Sequence, residues 1–372
     1  MEDKVVKQGL IFVILLITII SSFNMVFAQG EAAVPFLLIT PGARNGGLGE
    51  GGVALVNDAN AIFWNPAGLA FQYENPETDY RNEITLMHAQ WLPQFNFDDL
   101  FYDYMAGRFY AGDLGMLGGS ITFLNLGENV WTDDQGTQLG TFDSFEYALT
   151  LSYATKLASN TGIGINVKLI QSKLTDFKVT VGTETGDGQA TAFAVDLGML
   201  WTPGYEILDN KLTLGFNLSN FGPKITYIDK AQADPLPTNL RAGLSYKIMD
   251  DGFNALTFIY DINRLLVVKD TSGSSDNVFE AAFYSTWTEY SFNKSMRKFT
   301  HALGLEYNYG TLIALRTGYF YEDPKNGDRK FITFGAGLSF NMFTIDLSYL
   351  WTWTDEDHPL SDTVRFSIGV KF

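Results

Sequence analysis

The 372-residue sequence predicts an all-β protein: an antiparallel transmembrane outer-membrane β-barrel of about 14 strands, with an N-terminal plug segment inside the lumen. Three observations predict it. The first residues have the anatomy of a secretory leader. The stretch from Pro35 to Phe71 is rich in glycine and patterned like neither strand nor long helix. From Glu83 onward, apolar residues alternate with small or polar ones in runs of about ten, the length of a tilted membrane-crossing strand.

The leader carries Lys4 and Lys7 ahead of an apolar run from Leu10 to Ile20, a polar break at Ser21 and Ser22, and a small residue at Ala28. We expect cleavage after Ala28, a signal peptide at 1–28, a plug and connector at 29–82, and a barrel at 83–372. The apolar core is shorter than the ~20 residues a spanning helix needs, and no later stretch is longer. A membrane role therefore falls to strands. The absence of cysteine rules out disulfides, thiolate metal sites, a cysteine nucleophile and a lipid-modified cysteine. Aromatics at 15%, 36 glycines and only 18% charged residues match a soluble enzyme poorly. The net charge of -17 repels nucleic acid, so no nucleic-acid partner is expected.

In the plug, Gly46, Gly47, Gly49 and Gly52 allow tight turns and close backbone approach, and Asn65-Pro66-Ala67 reads as a turn. Gly47, Gly49 and Gly52 formally match a phosphate-binding glycine loop, but no strand-helix-strand unit follows, and the needs of a tightly folded hatch explain the cluster. A connector with Pro76 leads from Gln72 to Arg81.

The clearest strands come last. Ile332, Phe334, Ala336, Leu338 and Phe340 alternate with Thr333, Gly335, Gly337, Ser339 and Asn341. The next run sets Phe343, Ile345, Leu347, Tyr349, Trp351 and Trp353 against Thr344, Asp346, Ser348 and Thr352. The last sets Val364, Phe366, Ile368, Val370 and Phe372 against Arg365, Ser367, Gly369 and Lys371. Aromatics at the two ends of the apolar face form the girdles of a membrane barrel. Candidate strands begin near Glu83, Met105, Met116, Thr141, Gly162, Ala190, Lys211, Thr238, Phe253, Val278, Phe299, Thr311, Arg329, Phe343 and Thr363, one too many for an even-numbered bacterial barrel. Phe279, Phe283, Trp287 and Tyr290 recur at helical spacing. We therefore read 263–298 as a long excursion with a short amphipathic helix. Tight turns at Gly310 and at Asn341-Met342 then fall on the periplasmic side, and loops at 127–139, 176–189 and 354–361 fall outside.

No catalytic constellation is legible. His88, His301 and His358 are scattered, without the spacing of a zinc site. The acidic pairs Asp133-Asp134 and Asp355, Glu356, Asp357 fall in predicted exterior loops. We expect no enzyme, no catalytic residue, no metal site and no cofactor. The excursion aromatics Phe279, Phe283, Trp287 and Tyr290 are candidate partner-binding residues, since aromatics anchor interfaces, with packing onto the barrel mouth as the alternative.

The run PGARNGGLGEGGVALVNDANAIFWNPAGLAF, from Pro41 to Phe71, resembles the N-terminal signature of the PorV/PorQ family, a branch of the FadL-like outer-membrane barrels. LSNFGPKI from Leu218, LPTNLR from Leu236, DINRLLV from Asp261, GYFYE from Gly318 and RKFITFGAG from Arg329 carry the likeness toward the C-terminus. The region from Asp270 to Arg297 departs from it, with Trp287 and Tyr290 where the family more often has a charged helix. The resemblance implies a type IX secretion component in the outer membrane, a shuttle that takes the C-terminal signal domain of cargo at the translocon barrel and delivers it to a cell-surface sortase complex. Its expected partners are these proteins and outer-membrane lipid. The alternative is a FadL-like transporter of long-chain hydrophobic molecules, with an apolar pocket reaching Phe36, Leu37, Leu38 and Ile39.

Overall fold

The computed structural model describes residues 32–73, 80–133, 135–181, 184–204, 211–228, 233–268, 275–353 and 358–372. The leader, Asp134 and Asp355, Glu356 and Asp357 lie outside the described residues.

Fourteen antiparallel strands close into a barrel. They are β1 (Glu83–Gln90), β2 (Leu100–Tyr110), β3 (Met116–Thr132), β4 (Gln138–Ala158), β5 (Thr161–Lys173), β6 (Gln189–Trp201) and β7 (Leu212–Phe221). The second half holds β8 (Asn239–Asp250), β9 (Asn254–Leu265), β10 (Phe299–Tyr309), β11 (Ile313–Tyr321), β12 (Lys330–Phe340), β13 (Phe343–Trp351) and β14 (Val364–Lys371). Closure comes from β1 on β14, with Ile84 opposite Val370 and Leu86 opposite Ile368. Every interior ladder is thereby paired, as hydrocarbon requires of any backbone that crosses it.

Alternation sets the two faces. On β13 the outward Ile345 and Leu347 are 44% and 48% exposed, whereas the inward Ser348 is 2% exposed. Phe340, Phe343 and Phe372 collect at the short-turn rim, and Tyr349, Trp351 and Trp353 at the long-loop rim, as expected. Turns at Gly310 and Asn341 lie at one end, and the connections after β1, β3, β5, β7, β9, β11 and β13 at the other.

The count of fourteen agrees with the demotion of the Val278 run, which is helical. Two expectations need correction. The second strand begins at Leu100, five residues before Met105, because its inward positions Tyr102 and Tyr104 are large and pack on the plug, which hides the alternation. Strands β3 and β4 run 17 and 21 residues, well past one bilayer crossing, so the loop expected from Gly127 shrinks to a tip.

Residues 32–73 fill the lumen. A 3-10 turn (Pro35–Leu38), helix α1 (Ala43–Gly46), helix α2 (Ala61–Trp64) and a second 3-10 turn (Pro66–Phe71) are linked by irregular chain. Trp64, Ile62, Leu69 and Leu48 are buried almost completely. Such side chains each contribute about 1.5–3 kcal/mol, so the plug is a hydrophobic core wrapped by a sheet.

The connection from β9 to β10 holds Val278–Glu280, a π turn at Ala281–Ser285 and Thr286–Thr288, which run on as helix α3, followed by α4 (Phe292–Arg297).

Candidate functional site: the plug seat and the outer chamber

The plug glycines sit against wall glycines. A Cβ built on Gly47 would lie 2.8 Å from the Gly335 Cα, and one on Gly318 would lie 2.0 Å from the Gly49 nitrogen. Gly49 also has φ +70°, a left-handed conformation that disfavours any other residue. Gly46 is packed on Ser348 and Arg365, and Gly52 on the Asn45 side-chain amide. The same fit continues where Gly215 meets the Val53 carbonyl, Gly198 meets Asn65 and Gly164 meets Pro66. Glycines on the inner face of the wall thus form a groove whose shape is the plug's own backbone.

Asn65 does more than turn the chain. Its Oδ1 accepts from the Ala67 amide, capping the second 3-10 turn that Pro66 begins, while its Nδ2 donates to the Val53 carbonyl and, across to β6, to the Met199 carbonyl at 2.9 Å. Ala67 is fully buried, and the neighbouring Pro66 carbonyl group lies where Gly164 leaves room.

Charged side chains fasten the plug at a second level. Arg44 grips Glu306 on β10 through two hydrogen bonds, Nε to Oε2 at 2.8 Å and Nη2 to Oε1 at 2.7 Å, and reaches Asp58 at 3.1 Å. Glu306 also accepts from Arg316, which in turn reaches Asp346. Burial alone would depress the Arg44 guanidinium, but Glu306 and Asp58 hold it above the usual arginine range. Arg365 pairs with Glu50, and the Gly52 and Val53 amides both donate to the Asp261 carboxylate, at 2.6 and 2.8 Å. Asn217 donates to the Trp64 carbonyl and Asn166 to the Ile62 carbonyl. The plug is held on every side, and nothing in this bonding leaves it a loose stopper.

On the long-loop side of the plug lies a chamber of about 990 Å³. Phe36, Leu38, Ile39 and Trp64 give it a floor from the plug, and Leu124, Leu126, Phe320 and Leu360 give it apolar walls. Glu50, Arg241 and Asn239 interrupt that surface near the floor. The Arg241 guanidinium stands over the Phe63 and Trp64 rings at 4.6 and 5.2 Å and donates to the Phe63 carbonyl. Of the four residues expected to line an apolar pocket, Phe36, Leu38 and Ile39 do so; Leu37 is buried in the plug core.

One stretch of wall beside the chamber is low. β7 stops at Phe221 and β8 starts at Asn239, and the ladder from β6 to β7 shifts between Val195 and Leu197. Asn220, at φ +58°, makes the shift, with its amide donating to Asp196 and its side chain accepting from Lys168. The excursion covers this stretch from outside. Phe279 and Phe283 pack on Phe221, the Trp287 indole donates to the Ala282 carbonyl and lies 4.4 Å from the Arg264 guanidinium, and Tyr290 lies 4.1 Å from the Lys298 ammonium. Phe279 and Phe283 remain 64% and 68% exposed.

Glycines and Asn65-Pro66-Ala67 mark the plug in the sequence, whereas the residues that fasten it belong to no local motif. Glu306, Arg316, Asp346, Arg365 and Asp261 each stand on the inward side of a strand, where ionisable groups at membrane depth mark a structural or functional partnership. That signal was present in the alternation. Among the described residues, no group of three histidine or acidic side chains converges as a metal site.

A closed fourteen-stranded barrel with a glycine-seated plug is the architecture of a plugged outer-membrane barrel. The chain belongs to the PorV family: the model of the type IX secretion system protein PorV matches residues 28–272. It is therefore an outer-membrane component of type IX secretion. Two solved structures share the fold. The toluene transporter TodX of Pseudomonas putida is 14% identical over 89% of this chain and 97% of its own, with a TM-score of 0.54. The monoaromatic hydrocarbon channel CymD is 14% identical over 90% of this chain and 98% of its own, with a TM-score of 0.50. At such identities the likeness is one of fold. No curated protein matches the chain.

Proposed function

We propose that this protein is a secretion shuttle: it receives the C-terminal signal domain of exported cargo from the translocon barrel and carries it to the cell-surface attachment complex. The observation that supports this reading most is the pairing of a firmly fastened plug with a large chamber on its long-loop side. A carrier of folded domains needs a docking concavity facing the cell surface and a lumen that stays shut. The chamber's largely apolar lining, broken by a few polar groups such as Asn239, Arg241 and Asn326, is of the kind found at recognition sites. Of the excursion aromatics, Phe279 and Phe283 keep exposed rings, whereas Trp287 and Tyr290 are tied to Arg264 and Lys298. Deleting the gene tests the reading. Cargo with the type IX signal domain should accumulate unprocessed inside the cell, and normal surface delivery in the deletion strain would refute it.

A second reading, transport of a long-chain hydrophobic molecule, draws support from the apolar floor at Phe36, Leu38 and Ile39 and from the low wall at β7 and β8. It requires an uptake defect in the same strain with cargo delivery intact.

A further inference from the structure

The excursion runs across the strands, not along them. Its first helix packs on Phe221 of β7, Trp287 covers Arg264 of β9, Ser295 accepts from the same Arg264, and the Arg297 carbonyl accepts from Asn326 beyond β11. It therefore circles the outside of the wall over several strands, close to the long-loop rim.

Two observations place this band at the edge of the hydrocarbon. Phe221 is paired with Val195, whose outward neighbour Phe193 is 61% exposed, and the next outward step on β6 is already polar, with Thr191 hydrogen-bonded to Gln171. On the other flank Tyr260, His301 and Tyr321 lie ring against ring in an outward row one to two outward positions below Arg264 and Phe299, in the manner of an interfacial aromatic girdle. Arg264 itself points outward yet is only 1% exposed. It sits between the Trp287 and Phe299 rings and donates to Ser295 and to the Thr286 carbonyl. An arginine on the lipid face at this depth is costly unless shielded, and the excursion supplies the shield.

The band's own outer edge is apolar. Phe279, Phe283, Tyr284 and Phe292 are 64%, 68%, 65% and 75% exposed, and Met296 is 44% exposed. Phe279 and Phe283 pack on the outward-facing Phe221 of the wall. Lys294 and Arg297 lie exposed at the C-terminal end of this edge, Arg297 also 3.9 Å from Asp323, in a chain whose net charge is -17. We propose that the excursion is an in-plane interfacial anchor, with its aromatic edge inserted among the acyl chains of the outer leaflet and its basic end at the anionic headgroups. Amphipathic segments with large aromatics on one side and cations on the other bind bilayers in this way. Outer-leaflet lipid is thus the occupant of a face that an isolated view of the loop would assign to a protein.

The lack of native cysteine makes the test direct. Single-cysteine variants F279C, F283C and Y284C of the full chain, checked for folding by heat-modifiable migration, are nitroxide-labelled and reconstituted in palmitoyl-oleoyl phosphatidylcholine vesicles containing phosphatidylglycerol. Spin-label accessibility to oxygen and to a nickel chelate is then compared with L151C, a lipid-facing reference, and T137C, an exterior-loop reference. The anchor predicts an oxygen-to-nickel ratio at the three sites severalfold above T137C and close to L151C. Ratios equal to that of T137C overturn it. If those aqueous labels become shielded only on addition of a translocon barrel, the face is a protein-docking surface and the lipid assignment is wrong. Y284C, whose ring touches none of the aromatic partners described, keeps the test open should a phenylalanine variant fail to fold.

Discussion

The most direct perturbation of the plug is one methyl group on the wall. Gly318→Ala places a Cβ 2.0 Å from the Gly49 nitrogen and 2.2 Å from the Leu48 carbonyl carbon, both backbone atoms that cannot swing aside. Overpacking of this kind costs about 1–3 kcal/mol. Displacing Gly49 also breaks its amide's hydrogen bond to Thr333, which is 2.8 Å long, and a lost hydrogen bond adds about 1 kcal/mol. The total of about 2–4 kcal/mol moves the seated-to-unseated ratio of the plug by roughly thirtyfold to a thousandfold. Gly136→Ala serves as the control, since Gly136 has φ +81° but nothing within 4 Å, so it tests backbone strain without collision. Purified variants in planar bilayers should separate: G318A should show frequent conductance events and G136A should stay as quiet as the parent. In cells, G318A should admit a large hydrophilic antibiotic. A G318A protein as tight and as heat-resistant as the parent would refute the glycine-on-glycine account of the seat.

Two further outcomes follow from the same geometry. Glu306→Ala leaves Arg44 and Arg316 without their shared carboxylate, and removing one partner of a buried pair costs about 3–5 kcal/mol; the temperature at which folded and unfolded forms exchange on gels should fall, with Glu306→Gln intermediate. At the chamber rim the Leu360 amide donates to Nδ1 of His358, which only the neutral ring can accept. Burial and then the Arg329 charge hold the His358 pKa below its ordinary 6.5, so stability at this site is intact above pH ~6.5 and is lost as pH falls below it. Limited proteolysis of the loop between β13 and β14 should therefore accelerate in mild acid, and His358→Gln should remove the pH dependence.

Much of the architecture was legible because the bilayer forces a simple code on strands. Period-two alternation at Ile345, Leu347 and Tyr349 and the parity of the strand count led to fourteen strands, and helical spacing removed Phe279 to Tyr290 from that count. Where the code failed, the plug was the reason. Tyr102 and Tyr104 face inward because a packed core, not water, waits inside, so β2 carries large residues on both faces. The fastening residues escaped notice for a related reason: Arg44 and Glu306 stand 262 positions apart, and only closure of the sheet brings them together. Asn65 reads as a turn residue in the sequence, yet its bond to the Met199 carbonyl makes it a bridge between plug and wall.

The groove of wall glycines has one more consequence, for assembly. Gly164, Gly198, Gly215, Gly318 and Gly335 come from five strands spread around the circumference, and each leaves a gap that one particular plug atom fills. Clearances of this size leave no path by which a folded plug could slide lengthwise into a finished cylinder. The plug at 32–73 therefore takes its folded shape within the wall, either before Ile84 meets Val370 or inside the closed cylinder. The wall is thus the mould on which the plug's backbone is shaped, and the two are made to fit only together.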